Sequence, residues 1–599
     1  MPGLCLRRGA SATSGATFST VADSLHQDRA REASVTLETD ALQVGHTGYP
    51  TYPVSTHERG RFHVVLEGEL YDRDRAAVLD VAPALLEGGD RDAVASWLRS
   101  VDGEFVCCVV DTETDALAVL TDLFARLPVY YHHDGGQLLV GREGRFLLEQ
   151  LPDVAFDRMA IAQCLLVAYT LGDRTLWEGV RKLPPAGLLT CDPAGEVSVE
   201  RLHTFDFDEP AHADRSVQEN AAALASRFEA ACERRARARS TTVVSLSGGH
   251  DSRAVAAGLH AADVPFTAAT FDRGADSGGP DVRIARDVAD VLGVDWDRYD
   301  LSPPDPEEMR RLLAMKGGMN HLGMGFILEF FEALVDRHGP DVTCLTGDGG
   351  DKVVPDLAPG KPIDDLDELA EYTVAKNDVF SPAAVSRLTG LPREALLAEV
   401  RSVLAGYPED RMAAKYVHFI THERGFNWLF EAEDRNRHFL WSTSPFYATD
   451  VFTYGMNVPP EQKANDRFYR AFLRALWPRA VEFDAADYGT PMSSPRYALV
   501  QRFLGLLARY PVLEDVVRVL YRGEVTYDPP EAVSGAMEAQ LAECDAIDRY
   551  LSSEAVAERL ADGGGGRQQL YNLFTLTSAI AARECDRDTI VARPNVPTT

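Results

Sequence analysis

The chain has few lysines and no long apolar run. Seven lysines stand against 92 aspartates and glutamates, so arginine carries almost all the positive charge, and the formal net charge is −32 at pH 7. Nucleic-acid-binding proteins usually present a basic face, and this balance argues against such a partner. No run of 18 apolar residues occurs and the N-terminus has no long apolar segment. We therefore expect a cytoplasmic protein that neither binds nor crosses a membrane.

Paired cysteine motifs are also missing. Cys107 and Cys108 are adjacent within an apolar run, and the remaining cysteines of the nine are scattered without any C-x-x-C spacing. The pattern predicts neither a zinc site nor a disulfide framework. It favours buried free thiols in a reducing compartment.

The scarcity of lysine among so many acidic residues has two interpretations. A solvated acidic surface is typical of proteins adapted to high salt, where ions screen the self-repulsion. A GC-rich genome that favours arginine codons is the alternative. Activity that does not change between low and multimolar salt would count against salt adaptation.

A chain of 599 residues is too long for one hydrophobic core, since single cores stop growing at roughly 250–300 residues. The content of 45% hydrophobic and 25% charged residues is ordinary for a globular protein. We predict three segments: an α+β domain over 1–205, an α/β domain over 215–500, and a helical extension over 501–599 that ends in a frayed tail.

Residues 243–253 carry the most specific signal. An apolar β-branched run leads into Ser-Gly-Gly-His-Asp-Ser and then into helix formers, which predicts a buried parallel strand, a tight turn and a helix N-terminus. Glycines let the backbone approach a phosphate, and the first helical N–H groups with Ser247 and Ser252 can bind its oxygens. Asp251 is placed to hold Mg²⁺. A bare Gly-Gly could be only a turn, but the complete string is more specific and is not the P-loop pattern.

This string resembles the pyrophosphatase loop of AMP-forming ATP enzymes such as the asparagine synthetases, in which the loop binds the departing pyrophosphate. A predicted strand over 266–271 and helix over 281–292 continue a strand–helix alternation, which indicates a doubly wound parallel sheet with its ligand at the carboxyl edge. The resemblance implies ATP at that edge. The candidate ATP contacts are Ser245, Ser247, Gly248, Gly249, Asp251, Ser252, Ala269, Thr270, Thr346 and Gly347.

A third predicted strand, 342–346, runs into Gly-Asp-Gly-Gly-Asp at 347–351. This segment looks like the Ser-Gly-Glu-Gly-x-Asp-Glu motif of the same family, with Asp348 for the central glutamate and Lys352 for the last one. Two acidic residues on a glycine-rich loop suit Mg²⁺, so Asp251 and Asp351 are the predicted metal ligands. Asp348 is a candidate catalytic residue that orients substrate or accepts the amine proton. A calcium-like or merely solvated loop is the alternative.

The first 200 residues show short β runs, at 62–66, 104–111, 117–120, 129–131 and 138–140, and one helix over 91–99. The segments 67–72, 101–105, 122–131 and 183–186 resemble motifs of the class II glutamine amidotransferase domain. The resemblance implies an Ntn-type α+β sandwich.

The start of the chain departs from that family. Where the family has Met-Cys-Gly, with the cysteine as nucleophile, this chain has Met1-Pro2-Gly3, and proline has neither a thiol nor the usual terminal amine. Glu67 takes the place of the oxyanion-hole asparagine, and its charge would repel an oxyanion. Cys5 is the one local thiol, but it lacks the terminal amine. We predict a structural domain without glutaminase activity.

The later segments continue the resemblance, with one loss. Residues 360–440 are predicted to be helical. The segments 435–446, 458–463 and 468–473 resemble consecutive family motifs. The segment 483–491 lacks the lysine that the family places there. Losing a cation at a developing negative charge can cost several kcal/mol of barrier. Lys463, Lys352 and Arg496 are the candidate substitutes, and Lys463 is our candidate second catalytic residue.

These features predict an ATP- and Mg²⁺-dependent, AMP-forming amide ligase of the asparagine synthetase type. It would join a small-molecule carboxylate to ammonia or an amine. The protein could form a homodimer. Aspartate with free ammonia is one acceptor pair. A specialised substrate with an internal amine, as in β-lactam synthetases and lasso-peptide cyclases, is an alternative, and a catalytically impaired nucleotide-binding scaffold is another.

Overall fold

The structure is a computed structural model. It describes residues 2–9, 32–86, 88, 90–273, 279–486, 488–507, 531–562 and 566–585. The predicted tail around 594–597 lies outside these residues.

Twelve strands of the amino-terminal region build two sheets: β1 Gly3–Arg8, β2 Glu32–Glu38, β3 Leu42–Gly48, β4 Val54–Arg59, β5 Phe62–Leu70, β6 Gly103–Asp111, β7 Leu117–Thr121, β8 Tyr130–Asp134, β9 Gln137–Gly141, β10 Val180–Lys182, β11 Gly187–Cys191 and β12 Val197–Arg201. Both sheets are antiparallel and six-stranded, in the orders β10-β8-β9-β1-β3-β2 and β12-β11-β7-β6-β5-β4. Side chains such as Leu4, Leu6, Val106, Cys108 and Val140 form the core between them. The predicted sandwich is confirmed.

The third sheet is parallel and has the order β15-β14-β13-β16-β17. Its strands are β13 Thr241–Ser245, β14 Thr267–Asp272, β15 Trp296–Asp300, β16 Val342–Leu345 and β17 Trp441–Thr443. The strand order reverses between β13 and β16, and such a reversal leaves a crevice at the carboxyl edge. The predicted doubly wound sheet is therefore confirmed, and the loops after β13 and β16 are neighbours. A short hairpin, β18 Asp484–Ala485 and β19 Thr490–Pro491, follows.

Helices surround both regions and fill the carboxyl-terminal part: Ala82–Leu86, Arg91–Ser100, Gly144–Leu148, Arg158–Val167, Val217–Ala236, His250–Ala261, Pro280–Leu292, Pro306–Lys316, Ile327–His338, Gly350–Val353, Leu366–Asn377, Pro382–Thr389, Arg393–Ala405, Met412–Arg424, Phe430–Asn436, Thr449–Met456, Pro460–Lys463, Arg467–Leu476, Pro495–Leu507, Glu531–Glu543, Ser553–Ala561 and Arg567–Glu584. A π-helical turn, Gly425–Leu429, joins Met412–Arg424 to Phe430–Asn436. We name the resulting continuous segment, residues 412–436, the bridging helix. No helix within the described ranges combines the length and apolarity needed to cross a membrane.

One cysteine expectation was wrong. Cys544 and Cys585 form a disulfide that joins the segment after Glu531–Glu543 to the end of Arg567–Glu584. Spacing along the sequence gave no sign of it, because the two residues are 41 positions apart and meet only through helix packing. The other seven cysteines are free and buried, as predicted.

Candidate active site

The phosphate loop, residues 247–252, lies at the carboxyl end of β13 and opens the helix His250–Ala261. Its polar groups bond to one another: the Ser247 N–H donates to Ser252 Oγ at 3.0 Å, and the Gly249 N–H donates to Ser247 Oγ at 3.2 Å. The Gly248 N–H donates to the carboxylate of Asp281 at 3.0 Å. The loop thus already directs one backbone donor at an anionic oxygen, as a phosphate nest requires.

The acidic loop, residues 347–351, packs directly on the phosphate loop. A β-carbon on Gly350 would lie 2.5 Å from Asp251 Oδ1, and one on Gly347 would lie 2.5 Å from the Ser252 nitrogen. Only glycine fits at both positions, because real β-carbons do not approach other atoms so closely. The two loops that the sequence singled out therefore meet at Asp251.

Three carboxylates act on one another where the loops meet. Burial raises the pKa of Asp251 to about 7, and Asp351 and Asp348 also raise it, while the hydrogen bond from Tyr469 and the charge of Lys352 lower it. Such mutual repulsion is relieved by a divalent cation.

Magnesium at the two loops stays a prediction. Within the described ranges no group of three or more His, Cys, Asp or Glu side chains is arranged to hold a metal ion. Mg²⁺ usually takes one or two carboxylates and completes its shell with phosphate and water. Asp251 and Asp351 are residues that would hold it in this way.

Asp348 and Asp351 have different surroundings. Asp348 is half-buried, accepts a hydrogen bond from Thr346 Oγ1 at 3.1 Å, and its carbonyl accepts one from Ser444 Oγ at 2.6 Å. Burial raises its pKa, and Asp351 raises it further, against the Thr346 hydrogen bond and nearby arginines. The Asp351 side chain is 55% exposed and pairs with Lys352. Asp351 is thus open to a ligand, whereas Asp348 is held in place.

Two residues that support the phosphate loop were not identified from the sequence. The Tyr469 hydroxyl donates to Asp251 Oδ1, and the buried Arg253 donates to the carbonyls of Gly248 at 3.0 Å, Ala480 at 3.0 Å and Asp484 at 2.8 Å. Arg253 thereby fixes the loop to the segment that leads into β18. Its place directly after the Ser-Gly-Gly-His-Asp-Ser string was the one available signal for it.

The predicted base and ribose contacts are Ser245, the last residue of β13, and Ala269 and Thr270 in the middle of β14. The Ala269 carbonyl accepts the Leu246 N–H at 2.8 Å. The Thr270 hydroxyl donates to the Leu246 carbonyl at 2.8 Å and accepts from Trp296 Nε1 at 2.9 Å. These groups hold the sheet edge together, and their contact with a nucleotide stays a prediction.

The hydrogen bond of Lys463 goes to the backbone next to the acidic loop. Its amino group donates to the Val353 carbonyl at 2.9 Å, at the far end of the short helix Gly350–Val353. Burial lowers its pKa to about 8, with Asp356 opposing. The segment that lacks the family lysine forms the β18–β19 hairpin. A catalytic role for Lys463 stays a prediction.

Side chains pack closely around the start of the chain. Pro2 is buried, and a β-carbon on Gly3 would lie 2.5 Å from Arg142 Cγ and 2.7 Å from Glu67 Oε1. The Glu67 carboxylate accepts hydrogen bonds from the Leu4 N–H at 2.7 Å, the Tyr52 hydroxyl at 2.5 Å and Arg142 Nε at 3.0 Å. A buried ion pair therefore fills the space around the first residues.

That ion pair continues into the bridging helix. Arg142 Nη2 lies 2.5 Å from Asp434 Oδ1, Lys316 Nζ lies 2.9 Å from Asp434 Oδ2 and 2.6 Å from Glu431 Oε2, and the Tyr130 hydroxyl donates to Glu431 at 2.8 Å. All five side chains are buried. We name this set, together with Glu67, the interdomain network, since it links the strands of the first sandwich to the helices beside the parallel sheet.

Asp434 should make this network sensitive to acid. Burial raises its pKa, but Arg142 and Lys316 lower it further, to about 2. A carboxyl whose pKa is depressed by folding contributes stability above its unfolded pKa of about 4, and this is lost as the pH falls toward 2. Asp434→Asn should lower the free energy of unfolding by about 3–5 kcal/mol at pH 7, because Arg142 and Lys316 lose a buried partner.

Urea unfolding of wild type and Asp434→Asn between pH 7 and pH 3 measures both effects. The wild-type advantage should shrink as the pH approaches 3. Asp367→Asn, whose carboxylate is 78% exposed and pairs with Arg401, is the control, and it should change stability by less than about 1 kcal/mol. Equally small losses of unfolding free energy for both variants would contradict the stabilising role of the network.

Comparisons with known proteins agree with this two-part geometry. The profile of the glutamine amidotransferase domain family matches residues 87–202, and that of the asparagine synthase family matches residues 223–413. The matches lie within the predicted segments 1–205 and 215–500, whose boundaries stay predictions.

Two curated proteins are similar to part of the chain. The chain is 28% identical over 265 residues to Amidase chry2 of Gibberella zeae, covering 40% of this chain and 39% of that protein, and to Amidase chyE of Penicillium rubens, covering 39% and 38%. It therefore spans about two fifths of the length of these relatives.

Two solved structures each match at 11% identity and a TM-score of 0.20. One is described as the allosteric regulatory enzyme of purine biosynthesis, and the match covers 51% of this chain and 76% of that one. The other is the glutamine phosphoribosylpyrophosphate amidotransferase of B. subtilis, and the match covers 63% and 81%. Likeness at this level carries no argument.

Proposed function

The chain belongs by its architecture to the asparagine synthetase family, a glutamine amidotransferase domain followed by an asparagine synthase domain, and we propose that it is an AMP-forming amide ligase that uses ammonia or an amine. The family is one of ATP-dependent amide ligases. The AMP-forming reaction, the nitrogen source and the roles of single residues are the proposal. The meeting of the phosphate and acidic loops at Asp251 is the observation that carries it.

The proposed reaction activates a carboxylate and then captures it. A substrate carboxylate attacks the α-phosphate of ATP, the bond to the β-phosphate oxygen breaks, and pyrophosphate leaves. An amine then attacks the acyl-adenylate, so that an amide forms, AMP departs and one proton is lost from the nitrogen. Mg²⁺, when bound, neutralises charge on the phosphates.

Each part of the site has a defined task in this proposal. The phosphate loop, with its N–H groups and the hydroxyls of Ser247 and Ser252, binds the pyrophosphate oxygens. Asp251 and Asp351 hold Mg²⁺. Asp348, whose raised pKa and fixed position suit a proton acceptor, orients the amine or takes its proton.

The packed N-terminus supports a nitrogen source other than glutamine. Pro2 supplies no thiol, and Glu67, which the resemblance aligns with the oxyanion-hole asparagine, is held by Arg142 and Tyr52. A carboxylate at this position opposes an oxyanion. The first domain is therefore proposed to serve as a structural partner of the second.

Release of AMP and pyrophosphate tests the ligase proposal. Purified protein is incubated with Mg·ATP, ammonium and a set of carboxylic acids that includes aspartate. It should release AMP and pyrophosphate only when an acid that it accepts is present. Asp251→Asn should reduce the rate at least about 100-fold, because a metal ligand is lost at the transferred charge.

Asp367→Asn, an exposed carboxylate, is the matched control and should keep full activity. ADP in place of AMP, or equal rates for Asp251→Asn and wild type, would contradict the proposal. If the protein binds nucleotide but turns over none of a broad set of acids, the scaffold alternative is favoured. Lys463 supports that alternative, because its amino group is bonded to the Val353 carbonyl.

Restoring the thiol should not restore a glutaminase. Pro2→Cys places a cysteine at the chain start, but Glu67 and Arg142 still pack against Gly3, so glutamate release from glutamine should stay at background. Amide formation with ammonium should be unchanged. Glutamine hydrolysis by the variant, or turnover of the wild type with glutamine as sole nitrogen source, would show that the first domain is active.

A further inference from the structure

A carboxylate from another element occupies one donor of the phosphate loop. Three consecutive N–H groups of the loop are bonded: Ser247 to Ser252 Oγ at 3.0 Å, Gly248 to Asp281 Oδ1 at 3.0 Å and Gly249 to Ser247 Oγ at 3.2 Å. The first and third acceptors are hydroxyls of the loop itself, whose protons can reorient toward a ligand. The second acceptor is an anion that lies 33 positions further along the chain.

Asp281 lies directly against the loop because of its position in its own helix. Gly279 is the N-cap of the helix Pro280–Leu292, and Asp281 is in the first turn. A β-carbon on Gly248 would lie 2.6 Å from Asp281 Oδ1 and 2.9 Å from the Asp281 α-carbon. The glycine at position 248 therefore lets the carboxylate reach the N–H group.

The helix Pro280–Leu292 does not depend on this hydrogen bond for its place. Its buried face belongs to the hydrophobic core and consists of Ile284, Ala285, Val288 and Ala289. Asp281 itself is exposed, and the neighbouring Arg283 pairs with Asp484 at 3.6 Å. The Asp281 carboxylate can thus turn from Gly248 toward solvent while the helix stays where it is.

Gly248 is held by other contacts on its carbonyl side. The buried Arg253 donates from Nη2 to the Gly248 carbonyl at 3.0 Å and to the Asp484 carbonyl at 2.8 Å. The β-carbon of Ala486 lies 3.3 Å from the place that a β-carbon of Gly248 would take. Because these contacts do not use the Gly248 N–H, the donor keeps its direction when Asp281 turns away.

A phosphate group bound in this loop would compete with Asp281. Phosphate oxygens bind the N–H groups that precede and open a helix, and the Gly248 N–H is one of them. Pyrophosphate carries more negative charge than one carboxylate, and like charges at this distance repel each other. The carboxylate of Asp281 therefore opposes pyrophosphate twice, by occupying a donor and by repulsion.

We propose that Asp281 is an internal competitor of pyrophosphate. It occupies the Gly248 N–H in the free loop, is displaced when the phosphates bind, and returns as pyrophosphate leaves. Asp281 thus lowers the affinity of the loop for this product and promotes its release, without contact with the reacting atoms. The inference rests on the proposed function, because pyrophosphate is the product of that reaction.

Calorimetry of the full chain with inorganic pyrophosphate and Mg²⁺ tests the competition. Asp281→Asn keeps the shape of the side chain but removes its charge, and it should bind pyrophosphate about tenfold more tightly than wild type, since a hydrogen bond to a charged group no longer has to be broken. Asp281→Ala should also bind more tightly. A residue that only supported the loop would give the opposite sign, because its removal would weaken pyrophosphate binding.

Asp287→Asn is the matched control, because it removes one charge from the same helix. The Asp287 side chain is 42% exposed and pairs with Arg286. Its loss should change pyrophosphate affinity by less than about twofold, since exposed charges are screened. Circular dichroism and thermal unfolding check that the Asp281 variants are folded.

The outcomes separate the inference from the proposed function. Pyrophosphate binding by wild type, with equal or weaker binding by Asp281→Asn, would overturn the inference and leave the proposed function standing. An equal gain in Asp287→Asn would overturn it too, because the effect would then come from net charge alone. If none of the proteins binds pyrophosphate or α,β-methylene ATP, the proposed function fails and the inference fails with it.

Discussion

Close contact between two glycines and one aspartate is the constraint on which the candidate site depends. Gly347 and Gly350 approach the backbone of Ser252 and the carboxylate of Asp251 to distances that leave no room for a β-carbon. This approach brings three carboxylates together where β13 and β16 end. The repulsion among them is the physical reason to expect a divalent cation, and the N–H groups of the phosphate loop are the reason to expect phosphate.

The interdomain network gives the first sandwich a structural role. Glu67, Arg142, Asp434, Lys316 and Glu431 form an unbroken run of buried charges from the chain start to the bridging helix. The same helix carries Arg435 and, in its π-helical turn, Trp428. The first domain therefore helps to hold this helix in place. Buried ion pairs of this kind fix position more than they add stability.

Local signals made the sheets and the two loops predictable. The β-branched runs before Ser247 and Gly347 predicted strands whose carboxyl ends would be neighbours, and the structure confirms that arrangement. The supporting contacts could not be predicted. Tyr469 is 218 positions from Asp251, and Arg142 is 292 positions from Asp434, so only the packed fold brings each pair together. The Cys544–Cys585 disulfide was missed for the same reason.

The most direct test of the central claim is a crystal structure of the protein with α,β-methylene ATP and Mn²⁺ in place of Mg²⁺, with the metal located by its anomalous signal. The account predicts a manganese peak coordinated by Asp251 and Asp351, and phosphate oxygens on the N–H groups of the phosphate loop. A metal and nucleotide bound elsewhere, with both loops unchanged, would contradict it.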